Sequence, residues 1–206
     1  LSLEPGHEGE LLFNTPWQAP AEWAAGTQTI HYTGVTSQAD DGVIALFSKE
    51  LRIHYGFSTE TGEFLWETDP EHYLSMYGYG NFEHSWYFAY DKLYSAGVSG
   101  ILYCYDATTG QTLWTYQAED PYSEILWANN WWGRIPIITD GKIYLGHAEH
   151  SPIDPKPRGA PFVCLDAETG DVIWKAEGLF PAIVDHSLSC ASIGRVQYSV
   201  GRGMSG

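Results

Sequence analysis

The spacing of glycine and tryptophan constrains this chain more than any other feature. The segments STETGEFLWET, DATTGQTLWTY and DAETGDVIWKA each place a Trp four residues after the Gly of a Thr-Gly pair: Gly62 and Trp66, Gly110 and Trp114, Gly170 and Trp174. A degenerate earlier copy, EGELLF, sets Phe13 four residues after Gly9. From Gly to Gly the steps are 53, 48 and 60 residues. That variation is too wide for a solenoid of strict period and suits sheet units joined by unequal loops.

Each unit carries the same four short apolar segments. In one they are SWYFAY, KLYSAG, ILYCYDA and QTLWTY; in the next, IPIIT, KIYLGHA, PFVCLDA and DVIWKA. Tyr, Ile, Val and Trp favour pleated surfaces. Turn signals separate the segments, at Tyr90-Asp91, Ser99-Gly100, Asp140-Gly141 and the Thr-Gly pairs. No 3.6-residue pattern persists long enough for an amphipathic helix. The expectation is an all-β chain of four-stranded antiparallel meanders. One such sheet cannot bury both faces alone, and radial packing against neighbours, the β-propeller solution, covers them. An open sandwich would leave a Trp at one fixed place in every unit unexplained.

The pattern small-x-Asp-x-x-Thr-Gly-x-x-x-Trp resembles the tryptophan-docking motif of pyrroloquinoline quinone (PQQ)-type β-propeller repeats. It runs Cys104, Asp106, Thr109, Gly110, Trp114 and again Cys164, Asp166, Thr169, Gly170, Trp174, with a looser copy at Gly56, Ser58, Thr61, Gly62 and Trp66. Ser199 stands in the small position of a further copy. The resemblance implies that each Trp lies on an outer strand, against its own Thr-Gly turn and the small residue of an adjacent blade. It also implies blade boundaries at 26–70, 82–120 and 133–178, with the end of a blade in 1–25 and an incomplete last blade in 179–203. That is about four blades' worth of chain. The larger rings usual in the family favour part of a seven- or eight-bladed propeller, the rest being further blades or domains of the same polypeptide; closure of a four-bladed ring by residues near 10–14 is the alternative.

Charge removes some function classes. With 10 basic and 26 acidic residues the net charge is −16, which opposes binding to nucleic acid or to an anionic membrane surface. No apolar run reaches the ~20 residues of a membrane-spanning helix. The chain starts at Leu1 rather than Met, which points to a processed or truncated start, so the lack of a signal peptide in this stretch says nothing about secretion; the acidic balance suits an extracellular or cell-surface protein. Cys104, Cys164 and Cys190 form no Cys-x-x-Cys pair, which argues against a zinc site or a haem attachment. The first two are small packing residues of the motif.

Candidate chemistry lies in segments that do not repeat. In LWANNWWGRIP (126–136), Trp127, Trp131 and Trp132 stand with Asn129, Asn130 and Arg134 before an inner strand. Aromatic faces with amides and a guanidinium suit a planar quinone or a sugar ring, or else these rings pack between blades. In GHAEHSPIDPKPRGA (146–160), a long insertion, His147, Glu149, His150 and Asp154 offer imidazole and carboxylate donors for a divalent metal. A proline-stiffened loop tied down by its own polar side chains is the plainer reading. His72, Glu83 and His84 fall in a Tyr- and Gly-rich connection between blades, while His31, His54 and His186 are expected to be structural.

The expected function is that of a non-catalytic, secreted or cell-surface scaffold that binds a protein or a glycan and needs no cofactor. The resemblance extends to non-enzymatic propellers such as the lipoprotein scaffold of outer-membrane assembly. It also implies two alternatives: a fragment of a PQQ- and calcium-dependent alcohol or sugar dehydrogenase, and a structural subunit of an extracellular assembly. For the dehydrogenase, the vicinal cysteine pair and an assignable Asp, Glu and Asn set are missing from this sequence.

Overall fold

The computed structural model describes residues 1–2, 4–36, 42–72, 84–97, 99–118, 131–149 and 160–180. Apart from a four-residue helix, α1 (Ala21–Ala24), the regular structure among these residues is all strand. β1 (Ile30–Val35), β2 (Val43–Ser48), β3 (Ile53–Ser58) and β4 (Phe64–Glu67) form the first sheet. β5 (His84–Ala89), β6 (Lys92–Gly97), β7 (Ile101–Asp106) and β8 (Thr112–Gln117) form the second. β9 (Trp131–Thr139), β10 (Lys142–Glu149), β11 (Ala160–Asp166) and β12 (Val172–Phe180) form the third. Each sheet is a meander in which every strand neighbours the next in sequence. These are the four-stranded blades of a propeller.

The chain falls into two compact units. One is Leu1–Glu71 with Tyr87–Leu93 and Tyr105–Leu113; the other is His72–Trp86 with Tyr94–Cys104 and Trp114–Gly206. In the first, Val43, Ala45, Phe47, Tyr55 and Trp66 are buried; in the second, Leu102, Ile143, Leu145, Val163 and Leu165 are. The middle strands carry the core. β6 is buried along its whole length, as a strand covered on both faces should be. The outer strands β4 and β8 are mostly exposed, except at the repeated Trp and at Tyr116.

The repeated motif has a direct physical account. In each turn the first side chain takes two backbone N–H groups. Asp106 Oδ1 accepts from Thr108 and Thr109 at 2.9 and 2.8 Å, and Asp166 Oδ1 from Glu168 and Thr169 at 2.8 and 3.0 Å. Ser58 Oγ does the same for Glu60 and Thr61, both at 3.1 Å. The Gly N–H then closes the turn onto the carbonyl of Ser58, Asp106 or Asp166, at 2.9 Å in all three. Gly62, Gly110 and Gly170 have φ of +72°, +70° and +77°, a backbone region that glycine enters at little cost.

The tryptophans dock differently from the arrangement the resemblance implied. Trp66 lies over Gly56, the small residue of its own sheet, where a Cβ would come within 2.2 Å of the indole. Its other face meets the following turn: a Cβ on Gly110 would come within 2.6 Å of it. Trp114 covers Gly170 in the same way, again at 2.6 Å. Trp66 and Trp114 therefore close on the next turn, not their own. Phe13 repeats the contact one step earlier, over Gly62. The segment EGELLF is thus a docking segment without being a strand, since residues 10–20 carry no regular structure. Burying most of an indole at ~25 cal/mol per Å² contributes about 4–6 kcal/mol, an upper figure.

The hydrogen bond under each ring also varies. Trp66 Nε1 donates to the Ala107 carbonyl at 3.0 Å. At the next turn the Tyr94 hydroxyl donates to the Ala167 carbonyl at 3.1 Å. The buried Trp114 Nε1 has no partner among the described residues. Tyr94 is the third residue of β6, where β2 has Ala45. The larger side chain takes over the acceptor that the indole would use.

Candidate functional site

The two candidate segments meet at one end of the third sheet. In the β9–β10 register, Trp131 is opposite Glu149, Trp132 opposite Ala148, Gly133 opposite His147 and Arg134 opposite Gly146. The sequence reading treated them as two separate places, one before an inner strand and one an insertion between two strands. The strands are longer than the expected segments: β9 begins at Trp131, four residues before IPIIT, and β10 continues through Glu149, one residue beyond KIYLGHA. Trp131, Trp132, Arg134, His147 and Glu149 are therefore strand residues, held in place by backbone pairing. Trp127, Asn129, Asn130, His150 and Asp154 lie outside the described residues, as do Glu83, His186 and Ser199.

His147 is fully buried. Its Nδ1 lies 2.8 Å from the Pro161 carbonyl, and its ring centroid is 6.5 Å from that of Tyr116. A carbonyl only accepts, so this contact places the proton on Nδ1. The bond crosses from β10 to β11 and pins the end of the sheet. Among the described residues no group of three or more His, Cys, Asp or Glu side chains is placed to hold a metal ion. The described donors do not fit a quinone–calcium pair either. Asp106 and Asp166 cap turns, and Cys104 and Cys164 are buried cysteines on separate strands. Burial pushes the Cys164 thiol up, away from the thiolate that reacts or binds metal.

A second polar cluster was not visible in the sequence. In the first unit His54, fully buried, sets Nε2 3.0 Å from Glu71 Oε1 and Nδ1 3.2 Å from Thr33 Oγ1. The Tyr105 hydroxyl donates to the same Glu71 oxygen at 3.1 Å. Glu71 is only 5% exposed. The Thr68 hydroxyl takes the His54 N–H at 3.0 Å, and the Glu71 N–H donates to the Arg52 carbonyl at 2.8 Å. This network holds the exit of the first blade to β3 and β7. One signal was present: His54 stands two residues before the small position, where the other repeats have Leu102 and Phe162. The remaining candidates are unremarkable in place. His72 is exposed and gives its backbone N–H to the Tyr103 hydroxyl at 2.8 Å, His31 is half-buried on β1, and His84 opens β5.

Comparison with known proteins agrees with the repeat. No curated protein matches the chain. The BamB structure from Moraxella catarrhalis matches at 14% identity and a TM-score of 0.48, over 70% of this chain and 40% of that one. The computationally designed Ika4 protein matches at 12% identity and a TM-score of 0.50, over 84% and 85%. Quinohemoprotein alcohol dehydrogenase ADHIIG from Pseudomonas putida HK5 matches at 16% identity and a TM-score of 0.42, over 72% and 22%. The chain thus spans well under half of the two natural proteins. The family profile described as outer membrane protein assembly factor BamB matches residues 49–177, from the turn into β3 to the last strand of the third sheet. On that match, which takes in more than half of its residues, the chain belongs to this family of PQQ-like β-propeller repeat proteins.

Proposed function

We propose that this chain is a non-catalytic propeller scaffold, secreted or on the cell surface, that binds a protein or a glycan at the end of its third blade where β9 begins and β10 finishes. The observation that carries the reading is the β9–β10 register, which gathers Trp131, Trp132, Arg134 and Glu149 at one sheet end. Trp127 and Asn130 precede that end directly in sequence. Indole, amide and guanidinium groups are the chemistry that holds a sugar ring or a protein partner, and backbone fixed by strand pairing loses little entropy on binding. The repeated Asp, Thr and Trp, by contrast, are engaged in turns and docking. The family description, an outer-membrane assembly factor, agrees with a protein partner and with a location beyond the inner membrane.

Two measurements test this. Reconstitution with PQQ and calcium, followed by dye-linked oxidation of alcohols and sugars, should give no turnover; robust turnover overturns the proposal. Trp127→Ala and Trp131→Ala should lower binding to a glycan array or a captured partner about tenfold or more, with unchanged thermal midpoints.

A further inference from the structure

The docking contact between one blade and the next is the same twice over, so it cannot tell the blades apart. Trp66 on Gly110 and Trp114 on Gly170 each lie 2.6 Å from the Cβ those glycines lack, and the two turns share φ of +70° and +77°. The carbonyls of Ala107 and Ala167, second in each turn, both accept a hydrogen bond from a docked side chain. By this contact alone, Trp66 would fit the turn of the third blade as well as that of the second. The side chains beneath the tryptophans do differ. His54 stands two residues before the small position, where the second blade has Leu102; Tyr105 stands one residue after it, where the third blade has Leu165. His54 of the first blade meets Tyr105 of the second, with ring centroids 5.9 Å apart. Glu71 Oε1 joins them, 3.0 Å from His54 Nε2 and 3.1 Å from the Tyr105 hydroxyl. The corresponding positions for the second blade and the third are Leu102 and Leu165, both fully buried.

We propose that His54, Glu71 and Tyr105 are the recognition code by which the first blade selects the second as its neighbour: it accepts a blade with a Tyr hydroxyl one residue after the small position and rejects one with a Leu there. On the third blade, Leu165 would stand where Tyr105 does. Glu71 would then lose the hydroxyl from the oxygen that also faces His54, at a place where the residue is only 5% exposed. Taking a donor from a buried carboxylate costs more than the bond itself contributes when made. The opposite error is penalised too, since Leu102 offers no acceptor to a Tyr105-like hydroxyl. Discrimination by mismatch is what a chain of similar blades needs, because wrong docking of like units is the characteristic failure of repeat proteins. Thr33 extends the code to the inner strand, with Oγ1 3.2 Å from His54 Nδ1. Glu71 belongs to the segment that leads from the first blade towards the second, and that segment is itself tied to β3. The Thr68 N–H donates to the His54 carbonyl at 3.0 Å and the Glu71 N–H to the Arg52 carbonyl at 2.8 Å. The code does not depend on what the third blade binds.

Urea unfolding and refolding of the 206-residue chain test the proposal. In the wild-type chain the two curves should superimpose. The triple variant His54→Leu, Glu71→Leu, Tyr105→Phe makes this interface apolar like the next one. It should refold with hysteresis, and the protease-resistant chain recovered on dilution should fall about threefold or more. Val163→Ala, a fully buried change outside the cluster, should lower the midpoint without hysteresis, which separates lost selection from lost stability. Tyr105→Phe keeps the ring and removes only the hydroxyl, so it should fold and show a weaker form of the same defect, with recovery about twofold lower. It decides the question where the triple variant does not fold. Superimposed curves and wild-type recovery in the triple variant, or in Tyr105→Phe where the triple variant does not fold, overturn the proposal. So does hysteresis of the same size in Val163→Ala or in the wild-type chain.

Discussion

At the residue scale, two glycines with nearly the same backbone separate conformational need from packing need. Gly110 has φ +70° and would press a Cβ to 2.6 Å from the Trp66 ring. Gly141 has φ +64° with nothing within 4 Å of such a Cβ. Gly141→Ala should therefore cost only the backbone penalty, about 1 kcal/mol, while Gly110→Ala should cost about 2–4 kcal/mol through strain at both the turn and the indole. Denaturant titration reads both, and equal losses would mean that the ring moves aside freely. Asp166 sets a pH dependence. The N–H groups of Thr169 and Glu168 hold its carboxyl below the ordinary carboxylate range. A lowered folded-state pKa stabilises above the unfolded value and is lost as pH falls through the folded one. Asp166→Ala should thus lose stability relative to wild type at neutral pH, and the gap should close on acidification below about pH 4. A gap that persists unchanged in acid would assign the loss to something other than the carboxylate.

At the element scale, the strands were legible because each unit states its pattern again, and the repeats agree with one another. KLYSAG became β6 with those bounds, and ILYCYDA became β7 but for its last residue, Ala107. The start of β9 was not legible, whereas KIYLGHA stops one residue short of the end of β10. Asn-Asn followed by Trp-Trp-Gly looks like loop chemistry. Local propensity cannot see the partner strand that carries the pairing on to Trp131 and Glu149. The direction of docking was also hidden, for a related reason. The sequence places a Gly four residues before each Trp, which suggests a local contact, yet Trp66 reaches Gly110 of the next repeat. Spacing within a repeat constrains two positions that face different neighbours.

At the scale of the whole molecule, a repeat protein draws its stability from similar interfaces used again and again. Departures from the repeat then show where one unit is held by something else. His54 is such a departure, since Leu102 and Phe162 fill its place elsewhere. It ties Thr33, Glu71 and Tyr105, far apart in sequence, into one buried network in the first unit. Removing one partner leaves polar groups buried without the contact they were folded to make, which costs more than replacing the pair by apolar groups of similar size. His54→Leu and Glu71→Leu should each destabilise by about 3 kcal/mol, and the double variant should lose at least about 1 kcal/mol less than the sum. Restoring the repeat's own residue at position 54 therefore helps only once Glu71 is also apolar. A double-mutant cycle by chemical denaturation measures the coupling. Additivity within about 0.5 kcal/mol would show that the two side chains are buried side by side without acting as a unit.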